Sequence, residues 1–365
     1  MQMDAVEILK RMITIPSFSR EEDTCADFVF DVLLQSGLSA NRFKNNVWSF
    51  VGTYNPAKPT LMLNSHIDTV KPVNSYTLDP FEAIVENGKL YGLGSNDAGA
   101  SVVAMIETCN SIKDTELSFN MLLAITAEEE VTGENGIRAL LPHLSDSGIC
   151  IDMALVGEPT GMQPAIGERG LVVLDCVNHG VAGHAARDEG INAIYEAISD
   201  IEKLRLFQFP KQSAQLGPIG IQTTMIQAGT QHNVVPAECS WVVDVRTTDA
   251  YSNEQTVDII QSIVKADVKP RSTRIRASVI SENHPMVRSA REMGKQPFVS
   301  ATSSDMSQMS AFPSVKMGPG QSQRSHSANE FVLLSEIYDA VNDYTIYLKN
   351  LSNIILADET YQTLE

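Results

Sequence analysis

Five side chains of the kinds that hold divalent cations, His66, Asp97, Glu130, Glu158 and His326, stand in five separate stretches of this sequence, each following an apolar, strand-like run. Neutral imidazoles suit zinc-like ions, and a carboxylate can bridge two cations whose charges would otherwise repel at close range. Two histidines with three carboxylates therefore read as a ligand set for two metal ions. In LMLNSHID the strand is expected to end near Asn64, which leaves His66 and Asp68 on one side by the period-two rule. A carboxylate so placed can take the imidazole N–H and fix which nitrogen faces a metal. Asp97 lies in YGLGSNDAGAS, where closely spaced glycines allow a tight turn before a helix. Glu128, Glu129 and Glu130 form an acidic run, where like charges repel unless solvated or neutralised. Taken singly, these segments also read as a polar turn, a helix cap, a solvated acidic loop and a surface histidine. Taken together they fit the ligand-gathering end of an open α/β sheet.

The elements that would position them have an α/β pattern. The chain is helical in pattern from Asp4 to about Gly37, and TLMLN (60–64), FNMLLAIT (119–126) and DMALVG (152–157) read as buried strands. The helix-like SVVAMIETCNSI (101–112) alternates with them. The middle of the chain differs. There GLVVLDCVNHG (170–180), INAIYEAISDIEKL (191–204), GIQTTMI (220–226), SWVVDVRTT (240–248), VDIIQSIVKA (257–266) and RIRASVI (274–280) read as β, α, β, β, α, β, a ferredoxin-like motif. Alternation in SWVVDVR puts Trp241, Val243 and Val245 on one face and Asp244 and Arg246 on the other. The α/β style resumes after about 281, with SVKMGPG (314–320) as a strand and a final helix at 333–350. A chain of 365 residues is expected to build more than one core. The expected organisation is a large α/β domain from 1–169 and 281–365, with an α+β domain at 170–280 inserted as a two-hinge lid.

Composition narrows the partners. The balance of 27 basic against 45 acidic residues, a net charge of −18, opposes binding to phosphate backbones or anionic membranes, so neither nucleic acid nor membrane is expected as a partner. Five cysteines without a CxxC pair argue against a disulfide framework and a thiolate zinc site, and a cytoplasmic location is expected. No apolar run approaches the roughly 18 residues of a membrane span.

These motifs resemble the M20 co-catalytic metallopeptidases and deacylases, whose members include acetylornithine deacetylase and succinyl-diaminopimelate desuccinylase. HID at 66–68 is similar to the family's HxD, ND at 96–97 to its bridging aspartate, and the glutamate run to its DEE. The resemblance implies a phosphorylase/hydrolase-like, three-layer α/β/α catalytic domain. It also implies His66 as a ligand with Asp68 behind it, Asp97 as the bridge, Glu129 as general base and Glu130 as ligand. Three adjacent glutamates leave a second register open, with Glu128 and Glu129 as that pair. Glu158 would join His66 on one ion, and His326 would join Glu130 on the other. VAGHAA (181–186) looks like the family's GHxA and nominates His184 to polarise the scissile carbonyl, an imidazole aimed at developing oxyanion charge. GTQHNVVPAE (229–238), DVR (244–246) and GPGQSQRSH nominate Asn233, Arg246 and Arg324 for substrate binding.

From this resemblance the expected chemistry is hydrolysis of an amide by water activated between two cations, zinc being favoured and cobalt or manganese also accepted. The expected substrate is a small N-acylated amino acid, with N-acetylornithine in arginine synthesis favoured over succinyl-diaminopimelate or a dipeptide. A homodimer through the lid is implied. A catalytically silent amino-acid- or metal-binding relative is the alternative outside enzymology.

Overall fold

Thr60–His66, Asn120–Thr126 and Met153–Val156 are strands buried along their whole length, as apolar runs in a sheet covered on both faces must be. They are the centre of a computed structural model that describes residues 3–187 and 189–358. Thr60–His66 lies in the middle and pairs in parallel with both of the others. Ser314–Lys316 extends the parallel set beyond Met153–Val156, and Asn46–Val51 adds an antiparallel strand beside Asn120–Thr126. Side chains alternate across a strand, so each strand serves two cores. Leu61, Leu63, Leu123 and Leu155 pack with residues of the helices Ala5–Ile13, Asp23–Gln35, Ala100–Ile112 and Leu334–Ala357. Met62, Leu122, Ala124 and Ala154 face the other way, onto Ile137, Leu140 and Leu144 of the helix Ile137–Asp146 and onto Met306 and Met309. The three-layer α/β/α arrangement expected from the sequence follows from this two-sided burial. The first helix starts where Asp4 accepts a hydrogen bond from the Glu7 amide, a side-chain cap for one of the amides left unpaired at a helix start.

The chain divides into two compact units, and the sheet just described belongs to the first, Met1–Ile166 with Ile280–Phe298 and Ser304–Glu365. The second comprises Gly167–Val279 with Val299–Ser303. Its elements Gly170–His179, Ala193–Leu206, Gly220–Ala228, Glu238–Thr247, Asn253–Ile263 and Asp267–Pro270 run β, α, β, β, α, β. The antiparallel sheet has the order Gly220–Ala228, Glu238–Thr247, Gly170–His179, Asp267–Pro270, the ferredoxin-like arrangement. Trp241, Val243 and Val245 are buried with Val172, Leu174, Ala197 and Ile260, and alternation leaves Asp244 and Arg246 on the open face.

One sequence expectation fails here. The fourth strand is Asp267–Pro270, whereas only Ser278–Val279 of RIRASVI joins a ladder, opposite residues 167–168. DVKP pairs on a single side, against Gly170–His179, and an edge strand tolerates charge and a terminal proline that a central strand would not. Among the described residues no helix is long and apolar enough to cross a membrane.

Candidate metal centre

The parallel strands of the first unit deliver three of the candidate ligands to one edge. His66 is the last residue of Thr60–His66, Glu158 stands two residues beyond Met153–Val156, and Glu129 and Glu130 begin a single turn beyond Asn120–Thr126. Asp97 and His326 depart from the expectation that all five end strands of this sheet. Asp97 lies in the turn Ser95–Gly99, extended at φ −123°, and does not cap the helix Ala100–Ile112 that follows. His326 occupies a loop in the left-handed region at φ 54°.

The five nevertheless converge. His66 Nε2 lies 3.3 Å from Asp97 Oδ1 and 3.7 Å from Glu158 Oε1. His326 Nε2 lies 3.0 Å from Glu130 Oε2 and 3.7 Å from Asp97 Oδ2. Two donor groups result, His66 with Asp97 and Glu158, and Asp97 with Glu130 and His326, sharing one aspartate whose two oxygens face different imidazoles. Bonds of about 2.1 Å to a tetrahedral ion set donor atoms about 3.4 Å apart. The spacings and the mixed nitrogen and oxygen donors thus fit a pair of zinc-like cations. The first group is shut away, with His66 only 1% exposed, whereas the His326 side chain is 52% exposed and opens the second group to solvent.

Asp68 works differently from the sequence expectation. His66 Nδ1 lies 3.0 Å from the Asp68 carbonyl oxygen and 3.5 Å from its carboxylate, so the nearer acceptor is main-chain. An Nδ1 proton held there leaves Nε2 free as a donor to a metal. The Asp68 carboxylate instead accepts the amides of Glu129 at 2.9 Å and Glu130 at 3.1 Å, and the Ser19 hydroxyl at 2.7 Å. One buried residue therefore positions the imidazole through its main chain and the glutamate turn through its side chain. Glu128 faces away from the cluster. Its carboxylate accepts the Asn135 amide and side chain and folds over Gly133, where any side chain would collide with it. Of the two registers, the geometry brings Glu129 and Glu130 to the cluster.

The centre holds more negative charge than its imidazoles balance. Burial pushes Glu158 up to about 8, with Asp97 adding to it. Burial also lifts Glu129 well above the carboxylate range, reinforced by Glu158, Asp305 and Glu130 against the opposing pull of His66. Burial works against a charged His66, yet Asp68 and Asp97 outweigh it and raise its pKa. The hydrogen bond to Glu130 raises His326 to about 9. Such a concentration of carboxylates is relieved by cations.

Three residues that the sequence did not single out hold this arrangement. Glu330, 2% exposed, accepts the amides of Gly94, Asn96 and Asp97. Asn96, fully buried, bonds Gln321 in both directions and donates to the Ser325 hydroxyl. Asp305, raised to about 7 by burial, accepts the Thr126 hydroxyl at 2.9 Å. All three contacts link segments hundreds of residues apart or nearly so, and none leaves a local pattern. Arg324, nominated for carboxylate binding, is already forked onto Glu336 at 2.6 and 3.2 Å and lies over the Phe331 ring. The fork spends one N–H of each terminal nitrogen on Glu336. In the second unit Arg246 pairs with Asp244 on its own strand, and His184 and Asn233 are exposed neighbours where Gly183–His184 pairs with Val234–Val235.

Comparison with known proteins adds a family. Residues 62–350 match the sequence model of Peptidase family M20/M25/M40. A succinyl-diaminopimelate desuccinylase of Wolbachia pipientis is 29% identical over 289 residues, covering 74% of this chain and 72% of that protein. One of the same name from Ehrlichia ruminantium is 26% identical over 387 residues, covering 97% and 99%. Among solved structures, aminopeptidase PepT from Bacillus cereus superposes with a TM-score of 0.77 over 96% of this chain and 99% of that one, at 16% identity.

Proposed function

The chain belongs to peptidase family M20/M25/M40 and is a metal-dependent hydrolase of amide bonds, and on that premise we propose that it removes an N-acyl group, succinyl before acetyl, from a small amino acid. The observation that carries the reading is Asp97, whose two oxygens stand between His66 and His326. In this proposal His66, Asp97 and Glu158 hold one divalent cation and Asp97, Glu130 and His326 the other, with zinc, cobalt or manganese all compatible with the donors. Such cations, when bound, supply Lewis acidity toward the amide carbonyl and the attacking water.

The protein side of the chemistry follows from the side chains. Glu129 takes the proton of the attacking water and returns it to the departing amine, a role suited to a carboxyl group whose environment raises its pKa. Asp68 keeps the His66 tautomer and the glutamate turn in place. His184 is assigned to the developing oxyanion by the family resemblance, and Asn233, Arg246 and Arg324 to the substrate. The names of the desuccinylase relatives favour a succinyl group, and they lend no support to the acetylornithine expected from the sequence. In the second unit Met225 and Ile226 are exposed on the edge strand Gly220–Ala228, and Tyr195 and Ile198 are exposed on the helix Ala193–Leu206, which supports a homodimer through that unit. Sedimentation at micromolar concentration tests the dimer.

Amine release from N-succinylated diamino acids, N-acetylornithine and dipeptides, compared on metal-loaded protein, tests the substrate class. The N-succinyl compounds are expected to react fastest. Turnover of dipeptides alone would replace deacylation by peptidase activity.

A further inference from the structure

The two donor groups differ in what holds their ligands. His66 and Glu158 follow adjacent strands that pair from Leu61 opposite Met153 to Asn64 opposite Val156, so a backbone ladder sets their spacing. Asp97 and His326 have no such ladder. The Ser95–Gly99 turn and the 321–330 loop meet instead through side chains. Glu330 Oε1 accepts the amides of Asn96 and Asp97, each at 2.9 Å, and its Oε2 accepts that of Gly94 at 3.0 Å. The Glu330 carbonyl takes the Gly92 amide at 3.0 Å. From the opposite side Asn96 reaches into the loop, where its Oδ1 accepts the Gln321 amide and its Nδ2 donates to the Gln321 carbonyl and Ser325 hydroxyl. Ser325 immediately precedes His326. A carboxylate bonded to main-chain amides in a buried site is a strong, directional tie, and losing it strands three donors.

Resting on the two-cation reading above, we infer that Glu330 is a positioning residue for the second donor group: its carboxylate, four residues after His326, locks the Asp97 turn to the His326 loop and so fixes the spacing of Asp97 and His326. The first group keeps two of its three ligands on the sheet and depends on this lock only through Asp97. The second group has two of its three ligands on the segments that the lock joins. Glu330→Gln preserves shape, yet an amide can offer only one oxygen, so the Gly94 amide would face an N–H donor.

Cobalt(II) titration of the full-length, metal-stripped chain, read by the visible absorption of the ion and by competition with a chelator, separates the outcomes. Wild type is expected to take two equivalents. Glu330→Gln should bind the first within about threefold of wild type and the second about 10–100-fold more weakly, the usual range for losing a partner that orients a ligand. Equal weakening of both equivalents, or none, overturns the inference. A wild-type protein that takes fewer than two equivalents defeats the functional reading itself, a result distinct from either. Thermal melting of the stripped variant reports whether it folds. If it does not, Asn96→Ala cuts the same lock from its other end, and absence of a selective loss of the second equivalent there overturns the proposal equally.

Discussion

The sheet-held and loop-held halves of the metal centre reach the same kind of donor geometry by different means. Around His66 and Glu158 the spacing comes from the backbone ladder of two parallel strands, joined at its end by the Ser65 hydroxyl bonded to the Gly157 carbonyl. Around Asp97 and His326 it comes from individual buried polar groups, Glu330 and Asn96, each making bonds that few other residues could make. A ladder spreads its burden over many residues, so single substitutions there act through core packing. A loop concentrates it, so one isosteric change can move a ligand.

Stripping the protein with a chelator should bring amide hydrolysis to background from both halves at once, and restoring zinc, cobalt or manganese should recover it. Glu129→Ala should slow turnover by about 10²–10⁴-fold while both cobalt equivalents still bind, because proton transfer is lost and no ligand is. Asp68→Asn replaces one of the carboxylate oxygens that accept the Glu129 and Glu130 amides and keeps the main-chain carbonyl that takes the His66 N–H, so it disturbs the Glu130 half. In a cobalt titration the second equivalent should weaken by about 10–100-fold and the first much less, the same selective loss that is expected for Glu330→Gln. Away from the centre, Trp241→Phe removes the indole N–H that donates to Asn178 at 2.8 Å and leaves a buried oxygen unpaired. It should cost about 1–3 kcal/mol in urea unfolding and leave cobalt uptake unchanged.

The same contrast explains what the sequence made legible. Strands such as MLLAI announce themselves by unbroken apolar character, which draws the eye to His66, Glu158 and the glutamate run at their ends, though not to which two of the three glutamates serve. The alternation in SWVVDVR likewise foretold the buried face of Trp241, Val243 and Val245. Asp97 and His326 were recognisable as residue types, but their loops were misread as strand ends because nothing local shows which distant amides hold a turn. Glu330 and Asn96 were invisible for that reason, their partners lying more than 200 residues away. The edge strand Asp267–Pro270 escaped notice because it pairs on one side and needs no apolar alternation. The pairing of Arg324 with Glu336, on the following helix, likewise left no sign in the sequence.

In the proposed reading one pocket of the first unit holds two cations on either side of Asp97. Crystals of the metal-loaded protein, measured at the absorption edge of the bound metal, test it most directly through the anomalous difference map. Two peaks about 3.5–4 Å apart are expected, as in two-metal sites generally, one beside His66 and Glu158 and one beside Glu130 and His326, with Asp97 between them. A map with a single peak, or with none near Asp97, would contradict the account.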